Sequence, residues 1–337
     1  MSKKLLFRAD GNNKTGLGHV YRLLGLVEMF RKDYECVFVT TSSTPDSIFP
    51  KEYTIVTIPE ETNILNESDW LVNHFSPKDC IIICDGYHFV SKYQKEVKKK
   101  GYRLIYIDDL VSEYMHADVV VNHSPEIKDT DYRKENYTKL ALGTRYALLR
   151  TEFLNQLSEE RIAKKEKNVF VCFGGSDPKE FSYKVVRSLL QVDKVEKIFV
   201  ILGAANKGES LRSLQEKNPE KILLLRNLSA GELLDIMLKS YLAIVPSSTI
   251  LYELCCSSTP CLSGYYVENQ RRIHDGFEKK EAIYSMGDIS GFDIENFTEH
   301  IKKVLEKGSH KAQLENQRRM FDTDIKSRYL KLIKELC

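Results

Sequence analysis

Charge of one sign is scarcely in excess in this sequence: 50 Lys and Arg stand against 48 Asp and Glu, a formal net charge of +2. That balance argues against a protein built to grip a nucleic-acid backbone, while leaving room for a local anion site. Long apolar runs are missing as well. None approaches the roughly 20 residues that span a bilayer. At the N-terminus Leu5, Leu6 and Phe7 run straight into Arg8 and Asp10, too short for the apolar core of a secretory signal. A cytoplasmic location without stable membrane association is expected. The eight cysteines (Cys36, Cys80, Cys84, Cys172, Cys255, Cys256, Cys261 and Cys337) form no C-x-x-C pair and no metal-ligand spacing. Most lie in apolar runs and read as small buried hydrophobes in a reducing compartment. Fixed-period repeats and low-complexity segments are also lacking, which excludes a repeat architecture.

What is present is an ordinary globular composition, 42% hydrophobic and 29% charged, and 337 residues suit two domains, each with its own core. Short runs rich in Val and Ile alternate with amphipathic stretches of helical period from end to end, the signature of parallel βαβ units. In the first half the predicted strands are 5–8, 36–40, 54–58, 81–84, 103–107 and 119–121. Their near-continuous hydrophobicity predicts cover on both faces. A charged stretch, 158–167, interrupts the pattern, and a fresh alternation follows with strands at 169–173, 197–202, 222–225, 242–245 and 260–264. The expected fold class is therefore α/β, two Rossmann-like doubly wound domains facing a central cleft, spanning 1–157 and 158–337. The tail beyond about residue 289 shows only helical periodicity, and its helices are expected to pack back across the junction.

Ligands of such folds bind at the carboxyl ends of the strands, and the notable motifs all lie there. The segment Asp10 to Arg22 holds Gly16, Gly18, His19 and Arg22 between the first strand and a helix with apolar face Val20, Leu23, Leu24, Val27 and Phe30. It lacks the third glycine and distal acid of a dinucleotide fingerprint. His19 at a helix N-terminus is kept neutral by the helix dipole and can accept a proton; the plainer alternative is a turn with a helix-capping histidine. Phe173-Gly174-Gly175-Ser176-Asp177-Pro178 exposes backbone N–H groups suited to phosphate, and equally reads as a tight turn with Asp177 as a cap. Ser247-Ser248-Thr249, running into Glu253, offers donors for a diphosphate and a carboxylate for a ribose diol, or simply another cap. Asn269 and Gln270 add amides at the same edge. Asp85-Gly86-Tyr87-His88 and Asp108-Asp109 end strands of the first half and could bind a sugar.

As an ordered series these residues resemble the UDP-sugar hydrolases of pseudaminic acid biosynthesis, which act on UDP-2,4-diacetamido-2,4,6-trideoxy-β-L-altropyranose. The series runs Arg8-Ala-Asp10, Gly16-Leu-Gly18-His19-Val-Tyr-Arg22, Asp85-Gly-Tyr87, Ile107-Asp-Asp109, Ala117 to Asn122, Gly143 to Phe153, Phe173 to Asp177, Ser248 to Glu253 and Asn269-Gln270. The resemblance implies a glycosyltransferase-B-like architecture. It implies that His19 is the general base activating water at the anomeric carbon, that Tyr87 lies near the sugar, that Glu253 holds the ribose and that Asn269 is in the active cleft. Gly16, Gly18, Arg22, Gly174, Gly175, Ser176, Ser248, Thr249 and Gln270 complete the expected substrate-binding set. No metal or cofactor is expected, since helix N-termini can stabilise the departing diphosphate. The expected partners are the UDP-sugar and its UDP product, with no nucleic acid, and the chain is expected to be a monomer. Gly86 and Tyr252 depart from the family pattern and bear on sugar identity. The alternatives are an inverting UDP-sugar glycosyltransferase in surface polysaccharide synthesis, a nucleotide-sugar binding protein without turnover, and a hydrolysing 2-epimerase, which would need more carboxylates around the sugar.

Overall fold

The computed structural model describes residues 3–12, 16–159, 166–175, 177–203 and 206–337. The chain divides into two compact units, one made of Met1–Thr151 with Asp324–Cys337, the other of Glu152–Thr323. In the first unit the order is β1 (Lys4–Arg8), α1 (Gly18–Phe30), β2 (Cys36–Thr41), β3 (Thr54–Ile58), α2 (Glu67–His74), β4 (Cys80–Asp85), α3 (Ser91–Lys99) and β5 (Arg103–Ile107). There follow β6 (Tyr114–Met115), β7 (Val119–Asn122), β8 (Arg133–Lys134) and β9 (Lys139–Leu142). Seven of these strands form one sheet in the order β3-β2-β1-β4-β5-β7-β9, all pairs parallel. The β1 and β4 side chains are buried on both faces almost throughout, as continuous apolar strands between helical layers must be.

The second unit follows α4 (Thr151–Glu159) with β10 (Glu166–Val171), α5 (Phe181–Leu189), β11 (Lys197–Ile201), α6 (Glu209–Lys217), β12 (Ile222–Leu225) and α7 (Ala230–Lys239). It continues through β13 (Ser240–Pro246), α8 (Thr249–Cys256), β14 (Cys261–Tyr265), α9 (Glu268–Lys279), β15 (Tyr284–Asp288), α10 (Ile294–Leu305) and α11 (Lys311–Met320). Its sheet order is β12-β11-β10-β13-β14-β15, again parallel. Both units thus share the doubly wound order 3-2-1-4-5-6 of the Rossmann fold, whose crevice opens where the order reverses: between β1 and β4, and between β10 and β13.

The last helix, α12 (Ile325–Leu336), belongs to the first unit. This differs from the expected division, which placed the whole tail in the second domain and the boundary after residue 157. The reason is its apolar face: the Tyr329 ring packs edge-on to Phe30 at 6.3 Å and to Tyr146 at 5.9 Å, and its hydroxyl donates to the Tyr146 carbonyl at 2.7 Å. Among the described residues no helix is long and apolar enough to cross a membrane.

Candidate functional site

The first unit gathers four polar side chains at its strand-order reversal. Chain direction brings them there: α1 starts just past β1, while Asp85 is the last residue of β4, the strand beside β1. Gly16, at φ +79°, turns the chain into α1, its N–H donating to the Asn12 carbonyl at 2.8 Å. Gly18 is the first residue of the helix, and no acidic residue occupies the first turn. The approach is anchored by Asp10, which accepts the Thr41 N–H at 2.8 Å and pairs with Arg8 at 2.6 Å. Arg8 in turn donates twice to Glu67, at 2.9 and 2.8 Å, a buried bidentate pair.

His19 places Nδ1 2.7 Å from Asp85 Oδ1. Asp85 is fully buried and also accepts from Arg22 Nε at 2.8 Å and Nη2 at 2.6 Å, while Arg22 Nη1 donates to Asp109 Oδ1 at 2.8 Å. These contacts determine the tautomer. A carboxylate already taking two guanidinium donors can only accept, so His19 Nδ1 carries a proton, and in the neutral ring the lone pair is on Nε2. Arg22 Nη2 also lies 2.9 Å from His19 Nδ1, but two donors cannot share a hydrogen bond, and Nη2 is directed to Asp85. Arg22 is therefore a buried clamp rather than a solvated first-turn arginine. Burial works against the Asp109 carboxylate, yet Arg22 holds its pKa well below the ordinary carboxylate range. Behind the clamp, burial and then Arg22 push the His123 pKa down to about 4. The Tyr87 ring stands edge-on to His19 at 4.6 Å and is itself exposed, flanking the imidazole. Gly86 lies at φ +157°, and a Cβ there would meet His88 Cε1 at 2.9 Å and Phe89 Cε2 at 3.1 Å, so glycine is what the turn permits.

In the second unit, Gly174 (φ +82°) and Gly175 form the turn after β10; Ser176 lies outside the described residues. Gly203, after β11, packs against them so closely that a Cβ would fall 2.4 Å from Gly175 Cα. Asp177 makes the cap that is the alternative reading of this turn. Its carboxylate accepts the N–H groups of Phe181 at 2.8 Å and Ser182 at 2.9 Å, so the start of α5 is already occupied by an anion of the chain itself. Helix α8 is different. Ser248 stands at its N-cap but makes no side-chain cap, and the first turn, beginning at Thr249, contains no acid. Among the described residues no side chain caps its positive end, which favours an anion. Glu253 is buried one turn further in. Asn269 is half-buried at the start of α9, and the Gln270 carboxamide oxygen accepts the Tyr266 N–H at 3.2 Å, so Gln270 also fixes the loop after β14.

Sequence reasoning located His19 and Arg22 but did not join them to Asp85, offered only as a sugar contact, because their contact spans 66 residues of sequence. Gly203 was missed altogether; a glycine directly after β11, level with the Gly-Gly turn, is the signal that could have found it.

No family model matches the chain. Among curated proteins it is 29% identical over 320 residues to an uncharacterized protein of Methanocaldococcus jannaschii, covering 90% of this chain but 64% of that protein's length. It is 25% identical to the spore coat polysaccharide biosynthesis protein SpsG of Bacillus subtilis, covering 83% of this chain and 82% of that one. It is 26% identical to the UDP-2,4-diacetamido-2,4,6-trideoxy-beta-L-altropyranose hydrolase of Campylobacter jejuni, covering 82% of this chain and 97% of that one. Solved structures agree on the fold: MurG of Acinetobacter baumannii superposes with a TM-score of 0.66 at 12% identity over 99% of both chains. Os79 of O. sativa gives a TM-score of 0.70 at 11% identity, covering 99% of this chain and 100% of that one. On these matches the chain is similar to the Campylobacter altropyranose hydrolase and to SpsG, and it has the glycosyltransferase-B fold.

Proposed function

We propose that this protein is a UDP-sugar hydrolase that releases UDP from UDP-2,4-diacetamido-2,4,6-trideoxy-β-L-altropyranose or a close analogue. Water attacks the anomeric carbon, the carbon–oxygen bond to the diphosphate breaks, and configuration inverts. His19 Nε2 takes the proton of the attacking water as the new bond forms. Asp85 keeps hold of Nδ1–H and stabilises the imidazolium, which then releases its proton to solvent. The sugar is assigned to the first unit, near Tyr87, with Gly16, Gly18 and Arg22 shaping and clamping the base. The uridine diphosphate is assigned to the second, with Gly174, Gly175, Ser176 and the open start of α8 at Ser248 and Thr249 stabilising the leaving group, and Glu253, Asn269 and Gln270 beside the nucleoside. In this reading the enzyme works as a monomer in the cytoplasm, with reduced thiols, no metal and no cofactor.

The observation that carries the chemistry is the Asp85-held Nδ1 proton, 2.7 Å away, which leaves Nε2 as the acceptor. The hydrolase relative supports water as the acceptor. The spore coat polysaccharide relative favours a second reading, an inverting glycosyltransferase on the same machinery. Incubation with the UDP-sugar in oxygen-18 water, without a sugar acceptor, separates them. The hydrolase reading predicts unlabelled UDP and labelled free sugar, with His19→Ala largely inactive. Label in UDP would mean attack at phosphorus. Tight UDP binding without release would favour transfer or binding alone.

A further inference from the structure

The first unit also carries a groove of about 640 Å³ between β9, the turn Thr144–Tyr146 and α12, which shares no lining residue with the His19 cluster. Its volume is that of a small-molecule site, and its lining is strongly cationic: Lys134, Lys139, Arg145, Arg328 and Lys331. The acids in the lining are Asp129 and Glu335, and Glu335 is already paired with Lys139 at 2.8 Å. Five cations against two acids leave +3 in one groove, more than the +2 of the whole chain. Charge this concentrated is not the average surface of this protein.

Arg328 donates through Nη1 to the Arg145 carbonyl at 2.9 Å and lies 3.9 Å from the mostly exposed Asp324. That bond sets the Arg328 side chain against the Arg145 backbone. The Arg145 guanidinium lies over the Tyr146 ring, 5.6 Å from its centroid, and among the described contacts meets no carboxylate. The Lys331 ammonium, one turn before Glu335, adds to Lys139 in holding the Glu335 pKa below its ordinary value but makes no ion-pair contact among the described contacts. Leu140, Leu142 and Leu332 supply an apolar floor. A concave wall with two guanidinium groups suits a compact anion with several oxygen-bearing charges, because the planar fork matches phosphate geometry. A membrane surface fits poorly: none of the exposed large hydrophobic side chains of the described chain lines the groove.

We propose that this groove binds a small molecule bearing two or more phosphate groups, at a site separate from the His19 cluster. Inorganic tripolyphosphate titrated into the full chain by calorimetry, at low and at physiological salt and with saturating UDP present, tests it. The expected result is saturable binding that survives UDP and weakens steeply with salt. It should fall at least tenfold in Arg145→Glu and in Lys331→Gln. Lys326→Glu, an exposed charge reversal on the same helix outside the groove, should leave it within about twofold. No binding, binding abolished by UDP, or equal losses in Lys326→Glu and the groove variants would overturn the proposal. Circular dichroism on each variant identifies one that fails to fold, and Lys331→Gln, the mildest change, then decides.

Discussion

A single proton on His19 Nδ1 organises much of the chemistry proposed here. Asp85→Asn tests it with little change of shape. An amide can turn its NH2 toward Nδ1, which moves the proton to Nε2 and removes the lone pair from the reacting side. The expected result is a fall in kcat of about 10²- to 10⁴-fold with KM little changed and a displaced pH profile, measured by UDP release. A purely structural role would leave the profile of the residual activity where it was. His123 makes a second residue-level prediction. Its folded pKa, about 4, lies below the ordinary 6.5, because burial and Arg22 oppose its charging. Between those values the unfolded chain binds a proton that the folded chain refuses. Stability is therefore full above pH 6.5 and falls as pH drops toward 4, on the order of a few kcal/mol. Asp109, held low by Arg22, acts in the same direction at more acidic pH. Urea unfolding midpoints across pH 4 to 7 should show the first slope, and His123→Gln should flatten it. A variant as steep as the parent would remove His123 as the cause.

At the scale of elements, α5 and α8 both begin beside the strand-order reversal of the second unit, yet they are finished differently. Asp177 fills the start of α5, whereas Ser248 leaves α8 uncapped. An N-cap serine replaced by alanine ordinarily costs about 1 kcal/mol. Here Ser248→Ala is expected to change stability by less than about 0.5 kcal/mol while weakening UDP binding several-fold, read by thermal shift and by calorimetry. A full capping loss with unchanged UDP affinity would mean the hydroxyl serves the helix instead. Much of this layout was legible in the chain. The strands at 54–58, 103–107 and 222–225 were read with their observed bounds because each is a short run dominated by β-branched, aromatic or leucine side chains. The weakly apolar ones were not: β9 is a four-residue edge strand, and β15 reads Tyr-Ser-Met-Gly-Asp. β10 starts earlier than expected, at Glu166, inside the charged stretch, where its register slips against Ser240. For the candidate site, the loop residues were visible from glycine, histidine and serine at strand ends. The Asp85–Arg22–Asp109 lattice was not, because periodicity says nothing about which distant strand end faces which helix.

For the whole molecule, the return of α12 to the first unit has a consequence for stability. Tyr329, Leu332 and Ile333 are buried there, and a buried side chain of this kind contributes about 1.5–3 kcal/mol. Ending the chain after Thr323 should therefore destabilise the first unit while sparing the second. Hydrogen exchange should accelerate in α1, whose Phe30 packs on Tyr329, and remain slow in β10 and β13. Uniform acceleration in both units would mean that α12 supports the second unit too.

The same helix sets an order of events during synthesis. The ribosome releases the amino-terminal sheet first, at about 5–20 residues per second, but the piece that closes its core is made only after all of Glu152–Thr323. The second unit is contiguous and can mature while still tethered. The unit bearing His19 must wait, its Phe30 and Tyr146 uncovered, until α12 emerges. A chain stopped before Asp324 would thus have a finished second unit and an unfinished histidine unit, a form exposed to chaperones and proteases.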